Sequence, residues 1–191
     1  MSTAIYPGSF NPPTIAHLAI SEAVRSHHNV DSVIWAVSKI ALAKESVARP
    51  LFEHRISVLC NVADEFDWLT IEITEKQLLA DIAAGYDVLV MGADKWHQIQ
   101  DPIFYENDIS LRDDAIRRLP RVAIAPRGNL KTPSELELPI PNDLDSVSSS
   151  QARMGTTGLM LQAALDFDQL TGAWTDPSRY ERWLAENVAD N

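Results

Sequence analysis

The chain has 191 residues, 46% of them apolar, and a formal net charge of -11. That apolar content excludes wholesale disorder, no apolar run is long enough to span a bilayer, and the acidity argues against a large polyanionic partner such as DNA or RNA. The length suits a single α/β domain with enough core to fold alone. Met1-Ser2-Thr3-Ala4 leads into strand-like residues without the basic and apolar regions of a signal peptide, so a cytoplasmic location is expected. Cys60 is the only cysteine, which rules out an intrachain disulfide or a cysteine-cluster metal site, and its neighbours Val58 and Leu59 predict a buried thiol.

Apolar runs alternate with helix-period segments, the pattern of βαβ units in a doubly wound, mainly parallel sheet. Ala4-Ile5-Tyr6 reads as the first strand and Thr14 to about His27 as the first helix. Val33 to Val37 reads as a buried strand, Leu51 to about Phe66 as a helix, and Leu69 to Ile73 as an alternating strand. A helix is predicted from Glu75 to Ala84, ended by Gly85. Asp87 to Met91 is the clearest central strand and runs into Gly92-Ala93-Asp94; Val122 to Ala125 is another, ending at Pro126-Arg127. Gly128 to Asp145, with three prolines and little periodicity, reads as a long surface loop before a helix that starts at Ser148. Residues 154–191 read as a helical C-terminal extension, with Tyr180, Trp183, Leu184 and Val188 at near-helical spacing. Ligands of such sheets collect beyond the carboxyl ends of the strands, where the turn at Gly8, Gly92-Ala93-Asp94 and Arg127 would all fall.

The segment from Tyr6 to Leu18 joins the first strand to the first helix through a turn suited to phosphate. Gly8 permits close approach of the backbone, Pro12-Pro13 delays regular structure until Thr14 starts the helix, and the unpaired amides there favour an anion. Thr14 and His17, three apart, share a helix face. Neither a Walker A sequence nor the dinucleotide fingerprint occurs. Further on, Ser148-Ser149-Ser150 can cap a helix and offer hydroxyls and amides to phosphate, with Arg153 about a turn beyond.

Gly8, Phe10, Pro12, Thr14 and His17 fill every fixed position of G-x-F-x-P-x-[H/T]-x-x-H, so the segment resembles the signature of the nucleotidyltransferase superfamily. Val147-Ser148-Ser149-Ser150-Gln151-Ala152-Arg153 resembles its second hallmark, I-S-S-T-x-x-R. Alone, the first would fit a Pro-rich turn around a buried histidine and the second a plain helix cap; their joint, ordered occurrence favours the family. The resemblance implies a Rossmann-like α/β fold and an enzyme in which a phosphate oxygen of an acceptor attacks the α-phosphorus of ATP and pyrophosphate leaves. It implies that His17 contacts the triphosphate near the reacting centre, that Thr14 donates its hydroxyl there, and that Gly8, Ser9 and Phe10 line the nucleotide pocket. Arg153, Ser148, Ser149, Ser150 and Arg127 would attend the phosphates. ATP is the implied co-substrate, with Mg²⁺ held mainly by phosphates and water, so no protein metal-ligand set is expected.

The cation from the loop after the second strand is either Lys39 or Lys44. Lys44 followed by Arg55 resembles the spacing of nicotinate mononucleotide adenylyltransferases, whereas Val37-Ser38-Lys39 resembles phosphopantetheine adenylyltransferases. The opening Ala4 to Phe10 also resembles the second group. Val90 to Asp94, with Arg121 to Arg127 downstream, resembles the first and carries more elements. Two departures from that first group stand out: the tryptophan expected some ten residues after Gly92-Ala93-Asp94 is missing, leaving Phe104 or Tyr105, and Met154 to Gly158 replaces the usual sequence after the second motif. Asp94, Trp96 and Tyr105 are the candidate acceptor residues, with Trp96 equally suited to core packing. The preferred reading is transfer of AMP to nicotinate or nicotinamide mononucleotide; phosphopantetheine adenylyl transfer and a non-catalytic nucleotide-binding regulator are the alternatives. A homo-oligomer is compatible with the sequence.

Overall fold

The computed structural model describes residues 1–39 and 49–188. Among them, β1 (Thr3–Pro7), β2 (Ser32–Ser38), β3 (Leu69–Thr74), β4 (Val88–Gly92) and β5 (Arg121–Ala125) form one sheet in the order β3-β2-β1-β4-β5, every pairing parallel. The doubly wound α/β fold expected from the alternating pattern is therefore present. Strand side chains alternate between two buried faces. Ala4, Tyr6, Val33, Trp35, Val37, Val88 and Val90 enter one apolar cluster, while Ile5, Ala36, Leu89, Met91 and Ile124 enter the other. Each fully buried aliphatic side chain of this kind contributes roughly 1.5–3 kcal/mol. The chain winds outward from β1 to β2 and β3, then returns to place β4 on the other side of β1, so the strand order reverses between β1 and β4.

Helices α1 (Ile15–His28), α2 (Phe52–Ala63), α3 (Leu79–Ile82), α4 (Ala93–Gln98), α5 (Ile109–Arg117), α6 (Ser149–Arg153), α7 (Gln162–Thr171) and α8 (Pro177–Val188) accompany the sheet. A third apolar cluster joins Val58 of α2 and Ala152 of α6 to Met160, Ala164, Ala173, Trp174 and Tyr180, so the segment after Arg153 packs on both helices. It also reaches the turn before α1, since Leu161 N donates to Pro13 O at 3.1 Å and Met160 bridges Thr14.

Three expectations need correction. The helix expected over residues 75–84 shrinks to α3, because Thr74 Oγ1 accepts the Lys76 N–H at 3.2 Å and holds the start of that stretch in a turn. The loop after Arg127 is pinned to the sheet, Leu138 being buried and its N–H donating to Ile124 O at 2.8 Å. Cys60 is exposed, because α2 buries Val58, Leu59 and Val62 and turns position 60 to the outside. Among the described residues no helix is long and apolar enough to cross a membrane.

Candidate active site

Gly8 N donates to Ala36 O at 3.0 Å, tying the end of β1 to β2 before the chain turns. Phe10 then takes the left-handed backbone region (φ 46), which a bulky residue adopts only when its surroundings enforce it. Its buried ring stacks on Trp35 (centroids 4.5 Å apart, planes 11°) and meets Tyr6 at 5.4 Å and His17 at 4.9 Å. A Cβ at position 8 would lie 2.9 Å from two carbons of that ring, so glycine is required here by Phe10 itself.

Thr14 is the N-cap of α1 in extended conformation, and its backbone N–H donates to His17 Nδ1 at 3.0 Å, with Thr14 Oγ1 2.9 Å from the same nitrogen. A backbone N–H can only donate, so Nδ1 is the acceptor and the proton of the neutral ring sits on Nε2. Burial, reinforced by the positive charge of Arg127, lowers the imidazole pKa to about 4. His17 is thus a neutral N–H donor at neutral pH. Its helix is fastened to the sheet: Trp35 Nε1 donates to Ser21 Oγ at 2.8 Å, and that hydroxyl donates to His17 O at 2.8 Å.

Burial pushes the Tyr6 phenol above its usual range, Arg127 opposing the shift and Asp94 adding to it. Both charges therefore act on Tyr6, and the carboxyl ends of β1, β4 and β5 share one electrostatic neighbourhood at the point where the strand order reverses. Asp94 lies exposed in the first turn of α4. Its Oδ1 would be 2.5 Å from a Cβ at position 92, so Gly92 leaves room for the carboxylate.

Arg153 is fastened to the same turn, Nη1 donating to Asn11 O and Nη2 to Ser150 Oγ at 3.1 Å. The serines have distinct partners. Ser148 Oγ accepts the Gln151 N–H at 3.3 Å while Gln151 Oε1 accepts the Ser148 N–H at 3.0 Å, and Ser149 Oγ donates to Pro12 O at 2.8 Å. Both sequence motifs therefore meet at one turn.

Other candidates lie apart from this group. Lys39 is exposed and 3.8 Å from the exposed carboxylate of Glu75. Lys44 lies outside the described residues. Trp96 packs against the second apolar cluster. Tyr105, its phenol pushed upward by burial, lines a cleft of about 690 Å³ with Leu78, Phe104, Leu111 and Arg117, none of them in the two sequence motifs. Sequence reasoning missed Tyr6 and Trp35 as walls of the site, and Asn11, which sits at an unspecified position of the first motif. Among the described residues no group of three or more His, Cys, Asp or Glu side chains is arranged for a metal ion.

A family model of cytidylyltransferase-like proteins matches residues 5–154, which include the Gly8 turn, Gly92-Ala93-Asp94, Arg127 and Arg153. The chain belongs to the cytidylyltransferase-like family. It is similar to a probable nicotinate-nucleotide adenylyltransferase of Salinibacter ruber, at 26% identity over an aligned length of 117, the match covering 51% of this chain and 60% of that protein. It is also similar to a phosphopantetheine adenylyltransferase of Desulforamulus reducens, at 36% identity over an aligned length of 95, the match covering 44% of this chain and 55% of that one. The match thus spans little more than half the length of these curated relatives. Two solved structures of Plasmodium falciparum nicotinic acid mononucleotide adenylyltransferase, complexed with APC and with NaAD, share the fold with TM-scores of 0.56 and 0.55 at 15% identity, covering 99% of this chain and 97% of theirs. The two segments that resemble nucleotidyltransferase motifs are those that the fold brings together around Thr14, His17 and Arg153.

Proposed function

We propose that this member of the family is a cytoplasmic adenylyltransferase of NAD synthesis that moves AMP from ATP to the phosphate of nicotinate or nicotinamide mononucleotide. The observation that carries the reading is the neutral, Thr14-ordered His17, on which the charge of Arg127 also acts, with Arg153 fastened to the same turn through Asn11 O. An acceptor phosphate oxygen forms a bond to the α-phosphorus as the bond from that phosphorus to the β-bridging oxygen breaks, and pyrophosphate leaves with the electron pair. No protein nucleophile is required; the site must gather like charges and offset those that develop. His17 Nε2–H offers a donor without adding a titrating charge, and Arg127 and Arg153 supply the positive charge. Mg²⁺ enters as part of the magnesium nucleotide, held by phosphates and water. Asp94, at the end of β4, would face the acceptor.

The 36% identity to the phosphopantetheine adenylyltransferase favours a second reading, in which phosphopantetheine is the acceptor. A regulator that binds nucleotide without turnover is the reading from another class. Incubating the purified protein with ATP, magnesium and each acceptor in turn, and identifying products by mass, separates them. A dinucleotide from either mononucleotide is the expected result. Dephospho-coenzyme A alone would replace the acceptor, and no product from any acceptor would leave the regulator.

A further inference from the structure

The segment beyond the family-matched residues reaches into the phosphate turn through a buried polar contact. Trp174, between α7 and α8, donates its indole Nε1–H to Asn11 Oδ1 at 2.5 Å, the two side chains being 5% and 1% exposed. Asn11 Nδ2 in turn donates to Arg49 O at 3.2 Å, so both ends of the amide are engaged, and the carbonyl of the same residue accepts from Arg153 Nη1. Trp174 is itself fixed. Its backbone N–H donates to Asp168 Oδ1 at 2.7 Å, that carboxylate also accepts from Thr175 N and Oγ1, and the indole meets the Phe167 ring edge-on at 5.9 Å.

We propose that Trp174 and Asn11 are positioning residues for Arg153: the indole N–H fixes the Asn11 amide, which fixes the residue-11 carbonyl that orients the guanidinium toward the phosphates of the nucleotide. The proposal rests on the assignment of Arg153 to nucleotide phosphate. A guanidinium has five N–H donors in a rigid fork, so its value to a phosphate depends on the angle at which it is held. Two of those donors go to Asn11 O and Ser150 Oγ and set that angle. Packing alone would explain a buried indole, but packing alone predicts a loss of stability with no bearing on Arg153.

Trp174→Phe removes the indole N–H while keeping an aromatic ring in the cluster. Its affinity for a nonhydrolysable ATP analogue, measured by titration calorimetry below the melting transition, is expected to fall about tenfold in the otherwise wild-type protein. In an Arg153→Ala background the same substitution should change affinity less than about twofold, because coupled residues are non-additive. If Trp174→Phe does not fold, Asn11→Ser, whose side chain is too short to reach the indole, is measured in the same two backgrounds with the same expectation. Unchanged affinity, or an equal loss with and without Arg153, overturns the proposal while leaving adenylyl transfer by the wild-type protein standing. A wild-type protein that fails to bind the analogue overturns both readings.

Discussion

Replacing His17 separates a structural from a chemical role, because the ring does both jobs with different atoms. His17→Ala removes the acceptor of the Thr14 N–H, a contact of 3.0 Å at a residue that is 0% exposed, and the edge contact with Phe10 at 4.9 Å. Leaving that N–H unpaired costs about 1–3 kcal/mol, and losing the ring pair about 0.5–1.5 kcal/mol more. At about 2–4 °C per kcal/mol for a domain of this size, melting should fall by roughly 3–18 °C. Loss of a preorganised donor to developing charge should separately lower turnover by about two to three orders of magnitude. His17→Gln divides the two effects: the amide oxygen of a glutamine at the third helical position can reach back to the N-cap N–H, but its amide N–H₂ is then not held where the rigid imidazole places Nε2–H. Pyrophosphate release and thermal melting, followed in parallel, should show Gln recovering most of the stability and little of the activity. Turnover within a few-fold of wild type in His17→Ala, assayed where it is folded, would refute the role of His17.

The same ring gives a pH signature. Its folded pKa of about 4 lies below the ordinary 6.5, so above pH 6.5 it contributes nothing, and as pH falls below 6.5 the unfolded chain takes up a proton that the folded protein refuses. Stability should therefore drop by about 2 kcal/mol between pH 6.5 and about pH 5, a loss that His17→Gln should not show; parallel melting curves at about pH 7.5 and pH 5 for the two proteins check it, and equal acid sensitivity would contradict it. Arg153→Lys should weaken binding of a nonhydrolysable ATP analogue, since lysine cannot hold Asn11 O and Ser150 Oγ while presenting a fork to phosphate; equal affinities by titration calorimetry would remove Arg153 from the site.

Much of this site was legible because its chemistry lies in two short segments and the fold rules bring them together. Gly8, Phe10, Thr14 and His17 declare a turn and a helix start, and the alternation of strands and helices implies a sheet whose carboxyl edge gathers them. What was illegible depended on distance or on helix phase. Trp174 and Asn11 are 163 residues apart, and no local pattern links an indole in one connection to an amide in another. Cys60 looked buried from its neighbours, yet a helix turns adjacent residues about 100° apart, so Val58 and Leu59 decide nothing for position 60. Residues 75–84 have helical composition, but the Thr74 hydroxyl bonds the Lys76 N–H and favours a turn. Trp96 and Tyr105 follow Asp94 closely in sequence, and α4 and the turn Pro102–Tyr105 carry them to the second core cluster and to the cleft beside Leu78.

A crystal structure of the protein with a nonhydrolysable ATP analogue and magnesium tests the central claim most directly. The account predicts the triphosphate at the carboxyl ends of β1 and β4, with His17 Nε2 and the Arg153 guanidinium both within hydrogen-bond distance of phosphate oxygens. A nucleotide seated elsewhere, for example in the cleft lined by Phe104 and Tyr105 with its phosphates on Arg117 or Arg118, would contradict it.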